Sequence, residues 1–151
     1  CIRKTYRTAY QCKRGGLMNI EEALVKRLLD HSGLKALIGS KIYPEEIPQG
    51  VTLPAVFWIK VSDNKDHFLD GQCKTERPIY QFTAQANTKG AVKPVAEQIK
   101  KALCDYQGIL EGIQVQKIEL QNEFSSMEKS ADGTVKVFYE DLEFEITFER
   151  S

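Results

Sequence analysis

Two changes of period between Ile42 and Leu103 constrain the fold of this chain more than any other feature. Residues 42–50 carry Pro44 and Pro48, which fix φ and remove backbone donors, so this segment is a loop and not part of a central strand. Leu53-Pro54 then opens a run of β-branched and aromatic residues, 55–62, which reads as a strand with Pro54 at its edge or first position. Residues 76–87 alternate with period two. Pro78, Tyr80, Phe82, Ala84 and Ala86 fall on one side, and Arg77, Ile79, Gln81, Thr83 and Gln85 on the other. That pattern fits a sheet with one face packed on helices. After Thr88, a good cap, the period becomes helical: Val92, Val95, Ala96, Ile99 and Leu103 form an apolar stripe. Pro94 is expected in the first-turn region, where a missing N–H costs little.

The flanking segments extend the pattern. Asn19 and Glu22 have capping-box spacing, and Ile20, Ala23, Leu24 and Leu28 form a stripe with Arg27 at its edge. This helix should stop near His31-Ser32-Gly33. Ser32 can cap a short second turn holding Leu34, Leu37 and Ile38, closed by Gly39. Residues 63–71 are polar and turn-like. Residues 113–120 read as a strand whose phase slips near Gln116-Lys117, which suggests a bulge. Residues 121–134 are polar and end in the turn signal Asp132-Gly133. Residues 135–148 alternate as Val135, Val137, Tyr139 and, after a slip at Asp141, as Leu142, Phe144, Ile146, Phe148. The expected class is α+β, with an antiparallel or mixed sheet of about four strands and two main helices on one face.

Length and charge narrow the classes. At 151 residues the chain fits one domain, read as residues 18–151. No apolar run approaches the roughly 20 residues of a membrane-spanning helix. Formal charge is zero, but residues 1–17 hold five bases and no acid, leaving 16 bases against 21 acids in residues 18–151. An acidic body argues against non-specific nucleic-acid binding. Met18 begins a start-like segment, so residues 1–17 are read as a disordered leader or over-extended start; the competing reading is a basic arm that binds a partner.

The search for chemistry returns no catalytic, cofactor-binding or metal site. Cys1, Cys12, Cys73 and Cys104 form no Cys-x-x-Cys pair, and neither histidine lies beside one. His31 ends a helix, where a cation suits the dipole. Asp63, Asp66, His67 and Asp70 lack the spacing of a calcium loop and read as a solvated loop. Cys73 has no marker of a lowered pKa, and Cys104 reads as a small buried hydrophobe. Glu140, Asp141, Glu143, Glu145 and Glu149 are numerous enough to suggest catalysis, yet their alternation with apolar residues reads as the wet face of a strand. Trp58 and Tyr80 could stack bases, but only Lys60 and Arg77 lie near, so core packing is favoured.

The helix from Asn19, the 42–48 loop, Leu53-Pro54-Ala55-Val56, the strand 77–86, the helix to Leu103 and the closing strand 139–148 together resemble the tail-completion, or head-to-tail joining, proteins of long-tailed phages and prophages. The resemblance covers about residues 18–149 and rests on patterns, with no catalytic signature. It implies a structural protein without enzymatic activity or cofactor. Such a protein caps the head-proximal end of the tail tube and joins it to the head connector, usually as a hexameric ring, sometimes monomeric before docking. It would reside in the bacterial host cytoplasm during assembly and then in the virion tail. Candidate docking segments are residues 43–52, 62–74 and 121–134, the last being the favoured ring contact. The alternative from another class is a small α+β ligand-binding or regulatory domain, which should carry a deep apolar pocket. A third reading is an enzyme whose site is assembled between subunits.

Overall fold

The computed structural model describes residues 19–68 and 71–149. The expected leader, 1–17, lies outside them. Helix α1 (Ile20–Asp30) starts from the predicted capping box: the Glu22 amide donates to Asn19 Oδ1 at 2.8 Å, and the Asn19 amide reaches Glu22 Oε1 at 3.5 Å. Helix α2 (Ser32–Ile38) follows after one residue. Its N-cap is His31, not Ser32, and Gly39 closes it at φ 65°, a conformation glycine adopts without a Cβ penalty. Strand β1 (Ile42–Pro44) lies where a loop was expected. It is a three-residue edge strand parallel to the next, and an edge tolerates a residue with no donor.

Strands β2 (Ala55–Phe68) and β3 (Gly71–Ala86) form a long antiparallel hairpin. The polar segment after Ser62 therefore continues as strand through Phe68. Helix α3 (Lys89–Leu103) is capped by Thr88, whose Oγ1 accepts from the Ala91 amide at 3.1 Å. Pro94 falls inside it, deeper than the first turn. A short strand β4 (Gly108–Leu110) leads into β5 (Ile113–Lys129) and β6 (Lys136–Glu149). The sheet order is β1-β2-β3-β6-β5-β4, mixed because β1 is parallel to β2. The α+β class holds, with six strands and three helices among the described residues where about four strands and two main helices were expected. The extra strands are β1 and β4, each too short to show a period, while α2 is the short second turn expected before Gly39.

The bulge near Gln116 is present as a register shift between Val115 and Lys117. The slip expected at Asp141 is not a bulge in β6. Strand β6 is continuous; its apolar residues change face, with Val137 and Tyr139 on the side of Asp141 and Leu142, Phe144, Ile146 and Phe148 on the helix side. Along β6, Glu140, Leu142, Phe144, Ile146 and Phe148 all face inward. They meet Tyr80, Phe82 and Ala84 of β3 and the buried stripe of α3, Val92, Val95, Ala96, Ile99 and Leu103. Phe82 and Phe144 pack edge to face with centroids 6.0 Å apart.

Candidate functional site

Four strands align Phe57, Thr83, Asp141 and Phe124 in one row across the sheet face that carries no helix. Strand alternation puts Asp141, Glu143, Glu145 and Glu149 on this face, with Glu119 beside Glu145 on the neighbouring strand. Asp141, Glu143 and Glu145 are half-buried and Glu149 is exposed, in keeping with a wet strand face. Glu140 departs from that expectation. It points to the helix side and is buried, held by Lys93 Nζ at 2.7 Å and by the Ser125 hydroxyl at 2.8 Å.

Beyond this row β5 and β6 continue as a ribbon. Every β5 residue from Gln121 to Lys129 is exposed, so neither side of the strand is covered. The sequence segment expected to be a polar arm is therefore mostly strand, with its turn after Lys129. An isolated two-stranded ribbon is marginal in water. Here polar bonds anchor it. Lys100 bridges Glu123 (2.8 Å) and Glu97 (2.9 Å), Asn122 donates to Glu143 (3.0 Å), and the Tyr139 hydroxyl donates to Glu128 (3.1 Å). At the tip, Asp132 Oδ1 accepts from the Ser130 hydroxyl and from the Thr134 amide and hydroxyl, while Gly133 takes φ 73°. These bonds, the Ser130 hydroxyl foremost, lower the Asp132 carboxyl to about 2. Phe124 and Val135 are about half exposed, at 51% and 52%, and Met127 is 43% exposed. Phe124 lies on the open face and Met127 on the helix side.

One shallow cavity lies beside the ribbon and another beside α1. One of about 220 Å³ runs between α3 and the ribbon, lined by Val92, Met127 and Phe138 with Glu140 beside them. The other, about 230 Å³, is bounded by Arg27, Asp30, His31, Leu110 and Glu111. Both are smaller than the roughly 300–1,000 Å³ of ordinary ligand pockets.

The remaining sequence candidates separate widely. His31 Nε2 lies 3.0 Å from Gln98 Oε1 and ties the α1–α2 junction to α3. Trp58 packs edge to face on Tyr80, centroids 6.0 Å apart, and both are buried; the Tyr80 hydroxyl donates to Glu21 at 3.2 Å. Neither ring is presented for stacking. The Trp58 Nε1 is buried with no hydrogen-bond partner among the described residues. Burial raises the Cys104 thiol, the opposite of an activated nucleophile. Asp63, Asp66, His67, Asp70 and Cys73 fall outside the described side chains. Among the described residues no group of three His, Cys, Asp or Glu could hold a metal ion, and no helix is long and apolar enough to cross a membrane. Arg27, seen in sequence only as the polar edge of a stripe, donates through Nε to the Ala102 carbonyl at 2.6 Å and stacks 3.9 Å over the Tyr106 ring.

Comparison with known proteins adds three findings. The sequence model of the family described as "Tail completion protein gp17" matches residues 22–148. No curated protein matches the chain. Among solved structures, a chain of the "Virion of native gene transfer agent (GTA) particle" is similar at TM-score 0.64 and 15% identity, covering 86% of this chain and 94% of that one. At that identity the likeness is one of fold.

Proposed function

The chain belongs to the family of tail completion protein gp17, and from that premise we propose that it is a structural virion-assembly protein that caps the head-proximal end of a phage tail tube and joins it to the head connector. The observation that carries this reading is the family match over residues 22–148, which spans every strand and reaches to the end of the ribbon. The partners are the tail-tube and connector proteins and further copies of the chain in a ring. The work is done by surfaces, with no catalysed reaction and no cofactor. The protein assembles in the bacterial host cytoplasm and resides in the virion tail. Residues 18–151 act as one assembly domain.

The ribbon supports this reading. It holds solvent-facing apolar side chains on a strand with an open edge, as an element that docks on assembly would. The acidic open face suits the lumen of a ring through which DNA moves without adhering. A ring structure with a basic lumen contradicts that part of the proposal. The whole proposal is tested by mixing the protein with purified tail tubes and imaging the tube ends. Caps at one end support it, and ends that stay bare at saturating protein overturn it.

A further inference from the structure

The ribbon face turned toward α3 carries uncompensated positive charge. Lys129 and Lys136 are cross-strand partners, and the alternation that puts Met127 and Phe138 on the helix side puts both lysines there too. Like charges set directly opposite each other destabilise a strand pair. Lys89, the first residue of α3, lines the same groove from the helix. All three are exposed, and among the described residues none of them forms an ion pair. They border an apolar floor of Val92, Met127 and Phe138, in a body that holds more acids than bases. Glu140, at the root of the groove, is already neutralised by Lys93 at 2.7 Å.

Three unpaired cations around an apolar hollow fit an acidic segment that carries one apolar side chain. A cavity of roughly 150 Å³ holds benzene. The groove, at about 220 Å³, therefore has room for one branched aliphatic side chain.

The chain itself displays such a segment. After β1, residues 45–50 leave the sheet as a loop, with Glu45 and Glu46 exposed and Ile47 half-buried beside them. Neither carboxylate forms an ion pair among the described residues. Both ends of the loop are fixed. The Glu45 amide donates to the Trp58 carbonyl at 2.9 Å, and Lys41 Nζ donates to the Thr52 carbonyl at 2.7 Å. A loop shaped in advance loses less entropy on docking. The order β1-β2-β3-β6-β5-β4 sets the loop and the groove toward different edges, with β2 and β3 between them.

We infer that the Glu45-Glu46-Ile47 loop of one copy docks in the α3–ribbon groove of the next. Ile47 packs on Val92 and Met127, and the two carboxylates lie among Lys89, Lys129 and Lys136. This deepens the ring reading above and rests on it for the closed form. The contact joins two different surfaces, as the heterologous contacts of rings do. Nucleic acid is the other polyanion that lysines attract, but phosphates would leave the apolar floor uncovered.

The experiment uses the full chain with Gln49→p-benzoylphenylalanine, a photo-crosslinker at an exposed position of the loop. Equal amounts of ¹⁵N-labelled and unlabelled protein are mixed at high concentration, with and without tail tubes, irradiated and digested with trypsin. Mixed-isotope crosslinks from residue 49 to peptides 118–129 or 137–150, which line the groove, are the expected result. Lys129→Glu with Lys136→Glu should lower their yield at least about tenfold, because like charges then face each other across the contact. Adding Glu45→Lys and Glu46→Lys to that variant should bring the yield back to within about twofold of wild type. A loss that the second pair does not restore overturns the contact. Thermal unfolding checks that both variants fold. If the fourfold variant does not, Lys136→Glu with Glu46→Lys replaces it. Caps on tubes with mixed-isotope crosslinks elsewhere, or with none, overturn the loop contact and leave the tail-completion reading standing. Crosslinks in the groove without any tube binding do the reverse. A labelled DNA duplex bound by wild type and not by the lysine variant, with these crosslinks absent, assigns the lysines to nucleic acid and overturns the contact.

Discussion

Lys93 Nζ stands 2.7 Å from Glu140 Oε1, with Lys93 half in water and the Glu140 side chain only 2% exposed. This pair, completed by the Ser125 hydroxyl, fastens the root of the ribbon to α3. Removing the lysine leaves a buried carboxylate with one neutral donor. Lys93→Met should therefore cost about 1–2 kcal/mol, below the roughly 3–5 kcal/mol of a fully buried pair because Lys93 is solvent-screened. Urea denaturation measures this. Glu140→Gln should cost less, since it removes the charge that needs the lysine. Equal stability of wild type and Lys93→Met would show that the pair does not anchor the ribbon.

The tip should respond to acid. Asp132 is held at about 2 against an ordinary value of 3.8, chiefly by the Ser130 hydroxyl and then by Thr134. A lowered carboxyl favours the folded turn when ionised. Its contribution is present above the ordinary value and is lost as pH falls through about 2. Amide exchange at Thr134 and Val135, measured by NMR from pH 5 to pH 2, should rise relative to the core amides only in the lowest part of that window. Asp132→Asn should remove this pH dependence.

Arg27 joins the ends of two helices. Its Nε–H serves the Ala102 carbonyl near the C-terminus of α3, and its guanidinium covers Tyr106. A lysine cannot supply a planar cation for both contacts. Arg27→Lys should destabilise by about 1 kcal/mol and Arg27→Ala by about 2 kcal/mol, combining a charge-assisted hydrogen bond with a cation–π contact. Thermal unfolding followed by circular dichroism reads both values, and a lysine variant as stable as wild type would exclude the stacking role.

Phe124 tests the separation of stability from assembly. At 51% exposure on a ribbon with no helix over its face, it contributes little to the core. Phe124→Asp sets a second carboxylate directly opposite Asp141 and should cost only about 1 kcal/mol, leaving the protein folded. Phe144→Ala, by contrast, empties a fully buried ring site and should cost about 3–5 kcal/mol.

The parts of the fold legible in sequence are those with a sustained period. The stripe from Val92 to Leu103, the Tyr80–Ala86 alternation and the capping box at Asn19 carry core burial and helix starts directly in residue order, and each occupies its expected place. The three-residue strands β1 and β4 have no room for a period. The outer half of β5 lacks a strand signal for another reason. A strand covered on neither face has no apolar alternation to display, so Gln121–Lys129 looks like a polar loop. Glu140 illustrates the same limit: its burial depends on Lys93, distant in sequence, and not on its own neighbours along the strand. The helix-to-carbonyl bond of Arg27 likewise spans 75 residues and leaves no local signal.

The most direct test of the account is negative-stain microscopy of the full chain mixed with purified tail tubes, alongside the Phe124→Asp variant. The account predicts density capping one end of the tubes with wild-type protein and bare ends with the folded variant. Bare ends with wild type at saturating concentration, or binding spread along the tube walls, would contradict it.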